Sequence, residues 1–317
     1  MPGLSELYLG FDLGGTNIRS AVARVQGGDA VTLLGRDARR TPHDGAESVI
    51  AALCASARAA LDDAGATMHD VVAAGCAAPG PLDHRAGVVH LAPNIPGFTE
   101  VPLARELAEG LLGPEVFVDR DTAMAAIGEG IAGAATGARH FIYMTVSTGL
   151  GGAIVTDGRM VRGVTNTAGE IGHIPVSLDR SVRCRCGSFG HAEAYAAGSY
   201  LAAAYGVDDA GVVFARAAEG EPRAVALVAG AEAALENLAV GLVNALNPER
   251  IVVGGSVAEH EPGHVLEPMR RAIAERAFAV PAAAVRVIPS KLGPDVSVVG
   301  AVLAARDRAA GRGAWFL

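Results

Sequence analysis

Cys184 and Cys186 are the first residues in the chain whose types and spacing point to metal chemistry. They stand one residue apart in CRCGSFGHAE, and two cysteines alone cannot complete a tetrahedral zinc site. The chain has only four cysteines in 317 residues, too few for a disulfide scaffold of this size. In a reducing compartment the pair is more typical of metal binding, with the remaining ligands supplied from elsewhere, than of free thiols in a loop.

Three glycine-rich turns are candidates for a nucleotide site. DLGGT at 12–16 places an acid beside glycines whose backbone N–H groups can approach phosphate oxygens, and Mg²⁺ would explain an acid there. STGLGG at 147–152 repeats this chemistry, and Gly254 and Gly255 of VVGGS could lie against a flat adenine ring. Each turn alone could be purely structural. The GxGxxG and GxxxxGK[ST] patterns are absent from the sequence, which disfavours Rossmann and Walker sites.

Asp121 is a candidate catalytic base. In VDRDTAMAAIGE it stands where an apolar strand gives way to a helix, and the helix N-terminus favours an ionised carboxylate. A structural reading, in which Asp121 is only an N-cap, is equally compatible with the pattern. The catalytic reading is a general base that accepts the proton of a sugar hydroxyl as it attacks a γ-phosphoryl group.

The elements around these residues form a repeated pattern. Residues 7–25 and 140–161 each read as strand, glycine turn and strand, which predicts a β-hairpin at both places. Helical segments are predicted at 45–65, through most of 191–245 and at about 262–278. The repetition predicts a duplicated α/β architecture with a cleft between two lobes.

Composition and net charge disfavour some classes of protein function. Half of the residues are hydrophobic and 19% are charged, as in a globular protein, and the net charge of -8 with a pI near 5.6 disfavours a nucleic-acid surface. The start of the sequence lacks signal-peptide features, and the uncharged run at 141–158 is interrupted by Gly, Ser and Thr. We therefore expect a soluble cytoplasmic protein with no nucleic-acid or membrane partner.

The order of the motifs resembles the ROK family of bacterial sugar kinases, within the actin-like ATPase superfamily. The resemblance rests on DLGGT, APGPLD, APNIPGF, DRDTAMAAIGE, STGLGGAIVTDGRMVRG, AGEIGH and CRCGSFGHAE. It implies an α/β, two-lobed actin-like ATPase (ribonuclease H-like) fold with duplicated sheet-and-helix domains around a cleft. The expected lobes are 1–122, to which a closing helix at 297–317 returns, and 123–296, with a zinc loop at 173–191.

The resemblance also implies roles for individual residues. Asp12 would help to place Mg²⁺, Asp121 would be the base, and ATP would be the phosphoryl donor. The phosphates would be held by Gly14, Gly15, Thr16, Thr148, Gly149, Gly151 and Gly152. The sugar would be bound by Asn94, Arg120, Asp121, Glu170, His173 and Glu193. Glu170 and His173 are three residues apart, so a single turn can direct both side chains the same way.

Two departures from the family pattern affect these roles. The implied zinc ligands are His173, Cys184, Cys186 and His191, where His191 replaces the family's cysteine; histidine is a good zinc ligand, so the set remains complete. Arg120 stands where the family usually has asparagine. If it points into the cleft it would lower the pKa of Asp121, and otherwise it would turn outward to pair with Asp119 or Glu129. Ser147, where glycine is common, is a smaller change.

The expected function is an ATP-dependent hexokinase of glucokinase type, acting on the 6-hydroxyl of glucose or a close relative. The alternative is an N-acetylhexosamine kinase. A regulator is disfavoured because family repressors carry a DNA-binding region before the first turn, whereas eleven residues precede Asp12. A sugar-binding protein without catalysis is disfavoured by Asp121 and both phosphate turns. A homodimer or homotetramer is expected from the resemblance alone.

Overall fold

The chain folds into two compact units. The structure is a computed structural model that describes residues 6–26, 29–313 and 315. The first unit comprises Met1–Gly137, Arg162–Ala168 and Asp295–Leu317, and the second comprises Ala138–Val161 and Gly169–Pro294. The first unit thus extends past the predicted boundary at 122, because the helix that begins at Asp121 packs against the closing helix of the same unit. The segment 162–168 also belongs to the first unit, although it lies within the predicted second lobe.

The first unit is built on a five-stranded sheet. Its elements are β1 (Leu7–Leu13), β2 (Asn17–Val25), β3 (Val31–Arg40), α1 (Ala46–Ala64), β4 (Val71–Ala78), β5 (Leu82–Asp83), β6 (Val88–Leu91), β7 (Thr99–Val101), α2 (Leu103–Leu111), β8 (Val116–Arg120) and α3 (Asp121–Ile131). The strand order is β3-β2-β1-β4-β8, and β5, β6 and β7 form a separate small sheet. The hairpin β1-β2 is antiparallel, whereas β4 and β8 run parallel to β1 and to each other.

The second unit repeats this arrangement. Its elements are β9 (Phe141–Val146), β10 (Leu150–Thr156), β11 (Arg159–Met160), α4 (Glu193–Ala196), α5 (Gly198–Tyr205), α6 (Ala210–Ala218), α7 (Pro222–Leu246), β12 (Arg250–Gly254), α8 (Ser256–His260), α9 (Pro262–Arg276), α10 (Ala279–Ala284) and β13 (Arg286–Pro289). The order is β11-β10-β9-β12-β13, again with an antiparallel hairpin followed by parallel strands. Both predicted hairpins, and the duplication that they imply, are confirmed.

The closing helix, α11 (Val296–Ala309), packs on the first sheet at glycines. A Cβ on Gly75 of β4 would lie 2.1 Å from the carbonyl oxygen of Ala301, and one on Gly300 would lie 1.7 Å from that of Met124 in α3. Side chains larger than hydrogen would therefore force the elements apart. These contacts help to explain why so many core positions hold glycine and alanine.

Among the residues that the structure describes, one helix, α7, is long and apolar enough to cross a membrane by length and composition alone. Its most apolar window has a mean hydropathy of 1.5 and is 39% buried. One face of α7 packs in the hydrophobic core of the second unit through residues that include Leu235, Leu238 and Leu242. Core helices of soluble proteins have the same property, and α7 was not recognised from the sequence as a candidate span.

Candidate functional site

The first glycine turn connects β1 to β2, and the side chains of Thr41 and His43 contact its carbonyl oxygens. The Thr41 hydroxyl donates to the Gly14 carbonyl oxygen at 2.7 Å, and His43 Nε2 lies 3.1 Å from the Gly15 carbonyl oxygen. Asn94 lies close by, because a Cβ on Gly15 would be 2.7 Å from the Asn94 Cβ. The structure thus places Asn94, predicted to bind sugar, directly beside the DLGGT turn, while the Thr16 side chain at its tip is exposed.

Asp12 is a buried acid with one cationic partner on the neighbouring strand. Arg19, its register partner on β2, donates from Nε to Asp12 Oδ2 at 3.0 Å and from Nη2 to the same oxygen. Burial raises the pKa of Asp12, and Arg19 offsets part of that rise. Both of these hydrogen bonds end on Oδ2, so Oδ1 is the oxygen to consider as a ligand for a metal ion or its water. Arg19 was not singled out from the sequence, since its role depends on the cross-strand register.

The second and third glycine turns lie side by side in the second unit. Gly254, at the end of β12, pairs with Thr145 near the end of β9, and STGLGG follows directly. The Ser147 and Ser256 hydroxyls are 2.9 Å apart, so they join the two turns. Gly255 has a φ of 95°, and a Cβ there would lie 2.6 Å from the Val146 carbonyl oxygen. Glycine is therefore required where the turns meet.

The AGEIGH segment lies against β10, next to the second turn. Gly169 has a φ of 95°, and a Cβ there would be 2.9 Å from the Gly152 carbonyl oxygen. A Cβ on Gly172 would be 2.0 Å from the Leu150 carbonyl oxygen. Glu170 and His173 lie at this close approach. Glu170 is the N-cap of a single 3₁₀ turn, Ile171–His173, and His173 is the last residue of that turn. The predicted sharing of one turn by these two residues is observed.

Glu193 reaches the same turn from α4. Its Oε2 accepts a long hydrogen bond, 3.4 Å, from the backbone N–H of Leu150. A Cβ on Gly149 would also lie 3.4 Å from that oxygen. Within the second unit, therefore, Glu170, His173 and Glu193 all lie beside the turn that contains Thr148, Gly149, Gly151 and Gly152.

Two histidines and two cysteines form a compact cluster in the second unit. The candidate ligand atoms of His173, Cys184, Cys186 and His191 all lie within 4.8 Å of one another. Cys184 Sγ is 3.6 Å from His173 Nδ1, and Cys186 Sγ is 3.3 Å from His191 Nδ1. A mixed set of two thiols and two imidazoles has the chemistry of a closed structural zinc site. His173 directs Nδ1 to the cluster, so its Nε2 is the nitrogen available to other partners.

Burial shifts the pKa values of His191, Cys184 and the neighbouring Tyr200. Burial, followed by the nearby His173, lowers the pKa of His191 and keeps the imidazole neutral, the form that binds a metal. Burial raises the pKa of the Cys184 thiol, so a metal ion must displace its proton. The Tyr200 hydroxyl donates to Cys184 Sγ at 3.6 Å, and its pKa is raised to about 12, chiefly by burial, so it remains protonated at neutral pH.

Asp121 is the first residue of α3 and is exposed, directly after the buried end of β8. Its Oδ1 accepts the backbone N–H of Thr122 at 2.7 Å. Arg120, rather than Asp121, occupies the N-cap position of the helix. The carboxylate therefore lies at the positive end of the helix, as the sequence predicted.

Arg120 does not turn outward. The residue is 2% exposed, and its Nη2 donates to the carbonyl oxygen of Ala168 at 2.6 Å. Asp119 accepts the backbone N–H of Arg120 and forms an ion pair with Arg162, and Glu129 accepts the backbone N–H of Ala134. The prediction of an outward Arg120 was wrong, because the residue is buried and one of its guanidinium nitrogens binds a carbonyl 48 positions later.

Comparisons with known proteins cover nearly the whole chain. The model of the ROK family matches residues 8–308. A glucokinase of Halalkalibacterium halodurans is 32% identical, over 92% of this chain and 93% of that protein. The ROK hexokinase from Thermus thermophilus has a TM-score of 0.78 and 35% identity over 96% of this chain and 99% of its own.

A second solved structure is informative about ligands. The ROK family glucokinase from Streptomyces griseus was crystallised in complex with glucose and AMPPNP. It has a TM-score of 0.77 and 29% identity over 95% of this chain and 99% of its own. These matches confirm the predicted two-lobed actin-like ATPase fold.

Proposed function

Because the chain belongs to the ROK family and is an ATP-dependent sugar kinase, we propose that it transfers the γ-phosphoryl group of ATP to the 6-hydroxyl of glucose or a close relative. The observation that carries the choice of glucose is the likeness, over 95% of the chain, to a glucokinase that binds glucose and AMPPNP. An N-acetylhexosamine kinase is the alternative, and the proposed setting is the cytoplasm. The predicted dimer or tetramer stays a prediction.

Asp121 is the proposed general base. Its carboxylate is exposed at the start of α3, where the helix N-terminus favours the ionised form. As the sugar oxygen attacks the γ-phosphorus, Asp121 accepts the hydroxyl proton, the bond to the bridging oxygen breaks, and ADP leaves. The buried β8 strand fixes the position of the base from one side.

The glycine turns are the proposed phosphate-binding elements. Their backbone N–H groups can approach phosphate oxygens because no side chain stands in front of them. Asp12, whose Oδ2 accepts hydrogen bonds from Arg19, would help to hold Mg²⁺ through Oδ1. When bound, Mg²⁺ supplies charge neutralisation at the phosphates. Gly254 and Gly255 provide the close backbone surface proposed for the adenine ring.

Zinc is the proposed metal of the Cys/His cluster, held by His173, Cys184, Cys186 and His191. When bound it supplies order to a loop with few apolar residues of its own. Nδ1 of His173 belongs to the cluster, so Nε2–H can donate to a sugar hydroxyl. Glu170 and Glu193, whose carboxylates accept, would bind further hydroxyls, and Asn94 would contribute an amide.

A sugar role for Arg120 stays a prediction, and the structure favours another use. One guanidinium nitrogen already binds the Ala168 carbonyl, which directly precedes Gly169 and Glu170. Arg120 would then hold the segment 162–168 of its own unit rather than replace the family's asparagine as a ligand. An arginine cannot accept a hydrogen bond from a sugar hydroxyl in any case.

A panel of sugars with ATP and Mg²⁺ tests the proposal. ADP release should be fast with glucose and slower with mannose, allose, N-acetylglucosamine and N-acetylmannosamine, and the product should carry phosphate at O6 by ³¹P and ¹³C NMR. Preferential turnover of an N-acetyl sugar would establish the alternative. ATP consumption that no sugar stimulates would refute the proposal.

A further inference from the structure

The Tyr200 hydroxyl joins the Cys/His cluster to the backbone of the zinc loop. It donates to Sγ of Cys184 at 3.6 Å and accepts the backbone N–H of Arg185. Hydrogen bonds to a ligand atom orient it and tune its basicity, and their loss weakens metal binding. Tyr200 is therefore tied to the segment between the two cysteine ligands by two bonds.

Arg185 makes a second connection between the same two elements. Its guanidinium carbon lies 4.6 Å from the centre of the Tyr200 ring, and Nη1 donates to the Ser199 hydroxyl at 3.2 Å. Stacking and a charge-assisted bond together hold the side chain over the start of α5. The zinc loop thus contacts both Ser199 and Tyr200.

The start of α5 is in turn fixed to the second glycine turn. The backbone N–H of Gly198 donates to the Ser147 carbonyl oxygen at 2.8 Å, and that of Ser199 donates to the Thr148 carbonyl oxygen at 3.2 Å. A Cβ on Gly198 would lie 3.0 Å from the Ser147 oxygen, so the helix lies against the turn with little space between them. Residues 198–200 are consecutive. The backbone hydrogen bonds of Gly198 and Ser199 to the turn and the hydroxyl of Tyr200 on Cys184 therefore connect the turn to the cluster.

We propose that Tyr200 is a positioning residue that couples metal loading of the Cys/His cluster to nucleotide affinity at the 147–152 turn. This rests on the proposed function in two respects, namely that the cluster binds zinc and that the turn binds phosphates. Release of the metal loosens Cys184 and Arg185, so Ser199 and Tyr200 lose the zinc-loop contacts that support the start of α5 where it packs against Ser147 and Thr148. The apo protein then binds ATP more weakly, even though none of the four metal ligands belongs to the turn.

Tyr200→Phe tests the coupling because it removes only the hydroxyl. We expect zinc release to a chelator to be about 10-fold faster or more, and the dissociation constant for AMPPNP, measured by calorimetry without sugar, to rise about 3- to 10-fold. The KM for ATP should rise similarly, while kcat and the KM for glucose stay within about twofold. In zinc-stripped samples, wild type and Tyr200→Phe should bind AMPPNP equally.

Tyr205→Phe is the matched control. Tyr205 belongs to the same helix, is covered by the guanidinium of Arg223 at 5.5 Å, and has no bond to the zinc loop among the residues that the structure describes. It should leave zinc release and AMPPNP binding unchanged. Faster zinc release in Tyr200→Phe with unaltered AMPPNP affinity would overturn the coupling, as would unaltered zinc release. Wild-type protein that contains no zinc, or whose ATP turnover no sugar stimulates, would instead refute the proposed function. Zinc content and turnover are measured separately from AMPPNP affinity, so the two failures are distinguishable.

Discussion

Asp119 and Arg162 form a buried, two-pronged ion pair. Nη1 donates to Oδ1 at 3.1 Å and Nη2 donates to Oδ2 at 2.8 Å, and the side chains are 2% and 9% exposed. Asp119 immediately precedes Arg120 and Asp121, whereas Arg162 begins the segment 162–168. Asn166 continues the network, since it accepts from Arg162 and donates to the Leu82 carbonyl oxygen. The pair thereby fixes that segment to β8, the strand that directly precedes the proposed base.

Arg162→Met should destabilise the first unit strongly. The substitution leaves the Asp119 carboxylate buried without its guanidinium, which typically costs about 3–5 kcal/mol. Chemical denaturation should therefore show a large fall in the free energy of unfolding. Adding Asp119→Asn to Arg162→Met should recover part of the loss, because no buried charge remains.

The surface pair Arg139 and Asp157 is the control for that prediction. Their side chains are 70% and 66% exposed at a separation of 3.2 Å. Arg139→Met should cost less than about 1 kcal/mol, as exposed pairs do. Equal losses in the two methionine variants would contradict the importance assigned to the buried pair.

Gly300→Ala should disrupt the packing of the closing helix. Its Cβ would meet the Met124 carbonyl oxygen at 1.7 Å, and backbone on both sides leaves no flexible atom to move. We expect a loss of at least ~2 kcal/mol in thermal or chemical unfolding. Gly230→Ala is the control: it lies inside α7 with no atom within 4 Å of the added Cβ, so it should gain about 1 kcal/mol of helix propensity.

The metal content should follow the identity of the four cluster ligands. Purified protein should contain about one equivalent of zinc, and Cys184→Ser or His191→Ala should lose it to a chelator far more readily. His191→Cys should retain it, because a thiolate completes an equivalent set. Cys54→Ala, which removes a buried cysteine of the first unit, is the control and should not change zinc content. Metal-free protein prepared without chelators would contradict the zinc assignment.

Asp12→Asn should raise stability at neutral pH while it impairs Mg²⁺-dependent turnover. Because burial raises the folded-state pKa of Asp12 above its ordinary value of 3.8, ionisation of Asp12 costs folding free energy that grows as the pH rises from the ordinary value and is complete above the raised pKa. The stability gain over wild type should therefore be present at neutral pH, shrink as the pH falls through the raised pKa, and vanish below the ordinary value. Unfolding free energies measured across this range check the sign.

Asp70→Asn is the control, and it should change the free energy of unfolding at neutral pH in the opposite direction. The backbone N–H and then the hydroxyl of Thr67 lower the pKa of Asp70, so its ionised form stabilises the folded state. That contribution is present above the ordinary pKa and is lost as the pH falls through the lowered one. Asp70→Asn should thus destabilise the protein at neutral pH and not at low pH. A stability gain at neutral pH in both asparagine variants would contradict the burial argument for Asp12.

Local patterns were sufficient for much of the fold and of the candidate site. Two glycines between apolar strands predicted both hairpins, and a strand followed by Asp121 and an alanine-rich segment predicted the start of α3. The helix predicted at 45–65 is observed at Ala46–Ala64, because Gly65 adopts the left-handed C-cap conformation that the sequence indicated. In each case neighbouring residues supply the deciding interaction.

Features that depend on distant residues could not be predicted in the same way. The position of Arg120 depends on the Ala168 carbonyl, and the extent of the first unit depends on glycine contacts between α3 and α11. The link from Tyr200 to Cys184 requires the fold of the zinc loop to be known. No spacing in the sequence encodes these contacts, since each joins segments that come together only in the folded chain.

The role of Asp121 as the base is tested most directly by the turnover of Asp121→Asn, with Asp208→Asn, a change at an exposed acid of the second unit, as control. Asparagine keeps the shape of the side chain and cannot accept the sugar proton. We expect kcat with glucose to fall by about 10²- to 10⁴-fold in Asp121→Asn while glucose and AMPPNP still bind, and Asp208→Asn to retain full activity. Turnover near the wild-type rate in Asp121→Asn would contradict the assignment of Asp121 as the base.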